Sequence, residues 1–190
     1  CGCGKLTDVI IPDGVTTIGM QAFYGTDLTS VKIPASVTSI GDQAFASNTN
    51  MTTLSIFADL TTIGDGAFAR CRSLKQVTLP DTLTEIGDFL FDGCSGLEHF
   101  IMADGIQHIG DFAFRDCTKL NYVIIKGFQD DYDNIEISTY GNECLFSARK
   151  DYIPGVSTSG DWEYDISPAK GTVTLTEYLG SAAKVTVPRT

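Results

Sequence analysis

The stretch Leu-Thr-Thr-Ile-Gly-Asp-Gly-Ala-Phe-Ala-Arg-Cys, residues 60–71, decides the fold, because its core phrase recurs along the chain. The phrase is an Ile-Gly pair that is followed, after two residues, by a small or apolar residue and Phe. Its copies begin at Ile18, Ile40, Ile63, Ile86 and Ile109, with successive steps of 22, 23, 23 and 23 residues. A period in this range is typical of a solenoid of stacked coils rather than of a closed globule.

A short alternating stretch precedes each copy of the phrase. In one coil the apolar residues are Leu74, Val77 and Leu79, and Pro80 follows directly. This alternation predicts a strand with one buried face, and proline ends the strand because it cannot donate to the ladder. The glycine after each Ile is expected to permit a tight corner.

An acidic and an aromatic position recur within the phrase. The acidic residues are expected to cap short helical or 3₁₀ segments: Asp42, Asp65, Asp88 and Asp111. Met20 takes this position in the first copy, where the cap is expected to be weaker. The aromatic residues are expected to stack inside the solenoid: Phe23, Phe45, Phe68, Phe91 and Phe114.

Cysteines follow the same period at Cys71, Cys94 and Cys117, and Asn48 fills the equivalent slot one coil earlier. A small side chain, or an amide that bonds backbone, suits a buried position of this kind. Inert core thiols are favoured, because CxxC pairing and nearby His are absent. A metal site or disulfides between coils are the alternatives, and disulfides are geometrically possible since neighbouring coils lie about 4.8 Å apart.

The composition bounds the functional classes. The net charge is −11 and the pI is near 4.4, so the basic footprint of a nucleic-acid binder is missing and no nucleic-acid partner is expected. Only 19% of the residues are charged, and a surface rich in Thr, Ser and Gly suits an extracellular β-rich protein. No run of 18 apolar residues is present, so membrane insertion of this chain is not expected.

Catalytic and metal-binding motifs are sparse. The histidines, His99 and His108, lie in no metal-ligand spacing, and no nucleophile elbow or phosphate-binding glycine loop is found. We therefore expect no enzyme activity, cofactor or metal. An acidic cluster lacks the spacing of a calcium loop and is interpreted as a solvated turn, with loose Ca²⁺ binding as the alternative: Asp130, Asp131, Asp133 and Glu136.

The full pattern, L-x-x-φ-x-φ-P-x-x-φ-x-x-I-G-x-x-A-F-x-x-C, resembles the repeats of BspA-like (treponemal-type) leucine-rich-repeat proteins. Phe57 and Ala103 depart from it at the proline, and Leu90 departs from it at the alanine. The resemblance implies an α/β solenoid: a right-handed leucine-rich-repeat array with one short parallel strand per 22–23-residue coil, plus a C-terminal β-rich portion. It also implies a secreted or surface-attached protein, because the proteins of this family are secreted or surface-attached and mostly bacterial.

Four parts follow along the chain. Residues 1–127 form the array, with five full coils and partial terminal coils, and residues 128–152 resemble the segment that caps such arrays. A cap is needed because the last coil would otherwise expose its core and strand edge. Residues 153–161 are interpreted as a linker. Residues 162–190 form a β-rich segment in which 184–188 resembles the start of a second array.

The N-terminus follows the same register. The run from Cys1 to Leu6 matches the end of a preceding coil, so the chain is expected to be a fragment of a longer array. A lipid-modified Cys1 of a lipoprotein is the alternative.

Strand residues that alternate with the buried ones are expected to face outward, beginning with Asp8 and Ile10. The candidate contact residues are Ser30, Lys32, Thr53, Ser55, Gln76, Thr78, His99, Ile101, Tyr122 and Ile124. The last four form an aromatic and aliphatic patch, which is typical of a protein contact site. Ordinary solvent-facing residues, or a surface covered by residues 128–152, are the alternative.

These observations predict a monomeric, non-catalytic, extracellular or cell-surface platform that binds a protein. Only the family resemblance supports an adhesin whose partner is a host or matrix protein. Two alternatives stay open: a structural spacer that presents another domain, and a substrate-targeting arm of a larger surface enzyme.

Overall fold

The computed structural model describes residues 4–126 and 132–153 with their side chains, except that of Ile153, and the backbone of three later strands. The chain divides into two compact units, Cys1–Val156 and Ser157–Thr190. The first unit is a solenoid of parallel strands with coils of about 23 residues, so the predicted leucine-rich-repeat fold is confirmed.

Strands lie where the alternating stretch predicts them in the five coils from Ser30 to Lys126, and together with one later strand they form the front sheet. The strand expected in the first coil, around Asp8 and Ile10, is wrong, because those residues form no strand. The strands of the front sheet pair in parallel with the register of the repeat. Alternate residues face the core, as Val31 and Ile33 do. The strands are β2 (Ser30–Ile33), β4 (Thr53–Ile56), β6 (Gln76–Thr78), β8 (His99–Met102), β10 (Tyr122–Lys126) and β12 (Arg149–Ile153).

A second, shorter strand follows in each coil and was not predicted. These strands also pair in parallel with the neighbouring coils. Each is two residues long with one Ile directed inward, and two residues are too few for a period-2 signal. They are β1 (Thr17–Ile18), β3 (Ser39–Ile40), β5 (Thr62–Ile63), β7 (Glu85–Ile86), β9 (His108–Ile109) and β11 (Glu136–Ile137).

The Ala-Phe segment of each coil forms turns, so the predicted helical segments are wrong. The residue after the Asp position has a positive φ, for example 53° at Gln43 and 59° at Phe89, which a right-handed helix excludes. The freed N–H groups donate to the next coil instead: Gln43 N–H to Asp65 O at 2.9 Å and Phe45 N–H to Ala67 O at 2.8 Å. We call this third set of bonds the turn ladder.

The predicted capping by Asp is also wrong, because each carboxylate serves the following coil. Asp65 Oδ1 accepts the backbone N–H of Asp88 at 3.1 Å, and Asp88 Oδ1 accepts that of Asp111 at 2.8 Å. The glycine before each Asp is needed because the backbones of neighbouring coils approach each other closely there, and not because the chain turns a corner. A Cβ at Gly64 would lie 2.4 Å from Asp42 N.

The predicted phenylalanine ladder is confirmed. The Phe23–Phe45 and Phe45–Phe68 ring centroids are 5.2 Å and 5.6 Å apart, with interplanar angles of 12° and 7°. Phe91 and Phe114 continue the column at 5.6 Å with a 33° tilt. Ile and Leu side chains from both sets of strands surround this column and complete one continuous core.

The cysteine slot lies beside the phenylalanine column. The side chains in this slot donate hydrogen bonds to the backbone carbonyl groups of the phenylalanines. Cys71, Cys94 and Cys117 are free, buried thiols. Cys94 Sγ–H donates to Phe68 O at 3.2 Å, and Asn48 Nδ2–H donates to Phe45 O at 2.8 Å in its own slot. Burial raises the pKa of all three thiols, that of Cys94 to about 12.

The closing segment, residues 132–153, adds β11, helix α1 (Glu143–Ser147) and β12. Most of it lies within the predicted cap, although β12 also extends the front sheet by one strand. Lys150 points inward from β12, and its Nζ donates to the carbonyl oxygens of Leu145, Phe146 and Ala148 at 2.9, 2.6 and 3.0 Å. This ammonium group satisfies carbonyl groups at the end of α1.

The second unit contains three antiparallel strands: β13 (Trp162–Ser167), β14 (Thr172–Tyr178) and β15 (Val185–Pro188). All three strands lie within residues 162–190, the segment that is expected to be β-rich. Most of the predicted linker lies outside the described residues, and the start of a second array stays a prediction.

Candidate protein-binding face

The outward residues of the front sheet form two rows, which we call the front face. In the first row Ser30 pairs with Thr53, and the register then places Gln76, His99, Tyr122 and Arg149 on consecutive strands. In the second row Lys32 pairs with Ser55. The further members of that row are Thr78, Ile101, Ile124 and Asp151.

The N-terminal half of the front face is polar and made of small side chains. Ser30, Lys32 and Thr53 are exposed, and Ser55 is half-buried. Lys32 extends over the ring of Phe57, with Nζ 4.5 Å from the ring centroid. This cation–π contact holds the ammonium group at the strand exit.

The C-terminal half carries an aromatic and cationic row. The His99 and Tyr122 rings lie 5.6 Å apart with a 34° tilt, and the Arg149 guanidinium carbon lies 5.9 Å from the Tyr122 centroid. Arg149 Nε also donates to Asp151 Oδ1 at 3.2 Å. Each side chain in this row is therefore oriented by its neighbour.

Ile101 and Ile124 are 0% and 1% exposed, so the expected apolar surface patch is not open. Both isoleucines alternate with core residues on β8 and β10, so their side chains lie on the outward side of the sheet and neighbouring strands do not cover them. Their burial favours the alternative that this part of the face is covered, and the accessible contact residues are the polar and aromatic ones.

His99 lies in a partly desolvated position. Desolvation lowers its pKa, and the neighbouring Glu98 carboxylate opposes this only in part. Lys75 Nζ donates to Glu98 Oε1 at 2.8 Å, which lowers the Glu98 pKa. His99 Nδ1 is buried and has no hydrogen-bond partner among the described residues. The imidazole is therefore neutral at pH 7, and the row presents Arg149 as its cation.

Two features of the C-terminal half of the front face could not be found from the repeat pattern. Arg149 and Asp151 belong to β12, which follows β10 at a spacing of 27 residues rather than 23. The inward Lys150 also breaks the apolar alternation that reveals the other strands. The remaining signal was the run Arg149 to Ile153, which ends in Tyr-Ile.

The described residues contain no group of three His, Cys, Asp or Glu side chains placed to hold a metal ion. The predicted acidic cluster falls partly outside them, with Asp133 and Glu136 inside. No helix in the described part of the chain is long and apolar enough to cross a bilayer.

Comparisons with known proteins support the repeat assignment. The profile of the BspA type leucine-rich repeat region matches in six copies over residues 1–121 and 47–147. A leucine-rich repeat protein of T. pallidum is 28% identical with a TM-score of 0.56, and the match covers 75% of this chain and 68% of that protein. No curated protein matches.

A leucine-rich repeat protein of Bacteroides ovatus ATCC 8483 is 25% identical with a TM-score of 0.54. The match covers 76% of this chain but spans only 42% of the Bacteroides protein. The six profile copies, the period and the stacked coils agree on one assignment. The chain belongs to the BspA-type leucine-rich repeat family.

Proposed function

We propose that this chain is a non-catalytic protein-binding module of a secreted or cell-surface protein, and that the front face makes the contact. The observation that carries the proposal is the row of Gln76, His99, Tyr122 and Arg149 on consecutive strands. Aromatic residues and Arg are enriched at the centres of protein interfaces. Because these side chains rest on a paired sheet, little conformational entropy is lost when a partner binds.

The N-terminal half of the face supplies a polar surround to this row. Ser30, Lys32, Thr53 and Ser55 offer hydroxyl groups and one ammonium group, while Gln76 and Thr78 are half-buried between the two halves. Rim contacts of this type exclude water and contribute little energy of their own. We therefore assign most of the binding free energy to Tyr122 and Arg149. The smaller residues align the partner on the face.

The proposed partner is a host or matrix protein, which makes the chain part of an adhesin. The low charge content and the Thr-, Ser- and Gly-rich composition support an extracellular location. The proposal concerns the described module, because the Bacteroides relative is more than twice as long as the matched part.

A binding assay with matched variants tests the proposal. Tyr122→Ala and Arg149→Ala should each weaken binding to immobilised extracellular-matrix proteins or host cells by about 1–2 kcal/mol. Ser30→Ala is the control on the same face and should change binding by less than about 0.5 kcal/mol. Circular dichroism checks that each variant stays folded. Binding that survives both substitutions unchanged would favour the spacer role.

A further inference from the structure

Both sets of strands are interrupted at the same place in the solenoid. The front sheet consists of one group, β2-β4, and a second group, β6-β8-β10-β12. The shorter strands divide in the same way into β1-β3-β5 and β7-β9-β11. We call the boundary between residues 51–73 and residues 74–96 the junction.

The junction lacks three backbone bonds that neighbouring coils make. Thr52 N–H donates to Thr29 O at 2.9 Å and Glu98 N–H to Lys75 O at 2.8 Å, whereas Lys75 N–H has no such acceptor among the described residues. The N–H groups of Thr84 and Gly87 likewise lack the bonds that other coils make at these positions. Their matched donors are Thr61, Gly64, Gln107 and Gly110, with distances between 2.8 and 3.0 Å.

The turn ladder, by contrast, continues across the junction. Gly66 N–H donates to Asp88 O at 2.9 Å and Arg70 N–H to Asp92 O at 2.6 Å. Side-chain bonds also cross the junction, from Thr82 Oγ1–H to Leu60 O at 2.7 Å and from the Asp88 N–H to Asp65 Oδ1 at 3.1 Å. The two coils are therefore held along the turn edge, while backbone pairing is lost on the strand side.

The spacing between consecutive rings of the phenylalanine column is also largest at the junction. The Phe68–Phe91 ring centroids are 6.0 Å apart, compared with 5.2–5.6 Å for the other consecutive pairs in the column. The Phe68 N–H to Leu90 O distance is 3.2 Å, whereas Phe45 N–H to Ala67 O is 2.8 Å. Leu90 is fully buried where the neighbouring coils have Ala67 and Ala113, so it adds volume at this level.

We propose that the junction is a hinge in the array, with the turn ladder as the pivot and the strand side as the part that opens. The blocks on either side move as rigid bodies, because consecutive strands from β1 to β5 and from β6 to β12 are paired within each block. The hinge divides the front face between Ser55 and Thr78. Its opening changes the spacing of the two halves, so the face can adapt to its partner. This last consequence depends on the proposed function, whereas the hinge itself does not.

Amide hydrogen exchange and ¹⁵N relaxation dispersion on the partner-free chain test the hinge. The amides of Lys75, Thr84 and Gly87 should exchange at least about tenfold faster than their matched amides, because a backbone bond is missing at each. Residues that flank the junction on the strand side should also show dispersion on the microsecond-to-millisecond scale of collective motions. Gly66, Phe68 and Arg70, which lie at the pivot, should stay protected.

A disulfide across the junction supplies the matched control. Ser55→Cys/Thr78→Cys joins residues that are 23 positions apart, the register offset of Thr78 and Ile101. The oxidised variant should lose the dispersion and the reduced variant should keep it. Equal protection of Lys75 and Glu98 would overturn the hinge, because the ladder would then be closed in solution. Fast exchange without dispersion would overturn it as well, because it would indicate a fixed break.

Discussion

The Asn142 side chain accepts a hydrogen bond from the Phe114 backbone N–H, with Oδ1 3.0 Å from the nitrogen. In every earlier coil the corresponding phenylalanine N–H donates to a backbone carbonyl of the next coil. Asn142 Nδ2 also donates to Gly110 O and Ser138 O at 2.9 and 2.8 Å. One fully buried amide side chain therefore ends the turn ladder.

We expect Asn142→Ala to lower the free energy of unfolding by about 3 kcal/mol, because three hydrogen bonds are lost and buried backbone groups stay unpaired. The exposed Asn121 is the control, and Asn121→Ala should cost less than about 0.5 kcal/mol. Urea denaturation followed by circular dichroism measures both. Equal stability of the two variants would show that water or another group can replace the Asn142 side chain.

The aspartates at the repeat position, Asp42, Asp65, Asp88 and Asp111, are stacked on consecutive coils, and Asp65 should make the stability of the fold depend on pH. Desolvation, followed by repulsion from Asp88, raises the pKa of Asp65 above its ordinary value of 3.8. The folded state therefore binds the proton more tightly, and this carboxyl weakens the fold once the pH rises through its raised pKa. Asp65→Asn keeps the Oδ1 acceptor and should stabilise the protein by about 0.2–0.5 kcal/mol at pH 7, a screened surface effect.

The pH series separates the charge from the hydrogen bond. The gain of Asp65→Asn should vanish below the ordinary pKa, where Asp65 is protonated in both states. Asp65→Ala loses the bond to the Asp88 N–H and should cost about 1 kcal/mol at pH 7. Thermal unfolding at several pH values measures both. If Asp65→Ala stabilises the protein, the hydrogen bond from the Asp88 N–H to the Asp65 carboxylate does not contribute to stability.

The buried thiols should react only when the array unfolds. Cys71, Cys94 and Cys117 are at most 1% exposed, and burial raises the pKa of Cys94 to about 12, so almost no thiolate forms at pH 8. In a variant with Ser at positions 1, 3 and 144, iodoacetamide should label no thiol in buffer and three in guanidinium chloride. Mass spectrometry counts the adducts. Rapid labelling of the native variant would show that the slot opens locally.

Two buried leucines in one coil should respond differently to truncation. Leu83→Ala should cost about 3 kcal/mol, an ordinary value for a fully packed leucine. Leu90→Ala should cost about 1 kcal/mol, because Ala67 and Ala113 occupy the same position in neighbouring coils and the site can close. Guanidinium denaturation compares them. If Leu90→Ala costs as much as Leu83→Ala, Leu90 does not widen the junction.

The repeat phrase predicted the parts of the fold that depend on side-chain periodicity. The column from Phe23 to Phe114, the buried thiol slot and the front-sheet strands up to β10 follow from which residues recur every 22 or 23 positions. Burial of an apolar residue depends mainly on its place within one coil, and one coil is visible in a single stretch of sequence. The sequence by itself therefore determined the solenoid and most of its core.

Only the tertiary structure decided how the coils are joined. Three features depend on how closely residues about 23 positions apart approach each other: the turn ladder, the acceptor role of Asp65 and the break at the junction. Differences of a few tenths of an ångström in these distances decide whether a hydrogen bond forms. The same holds for the front face, where Arg149 joins Tyr122 across an irregular spacing and Ile124 is buried. Periodicity specifies which residues meet, but hydrogen bonding and accessibility depend on the stacking of the coils.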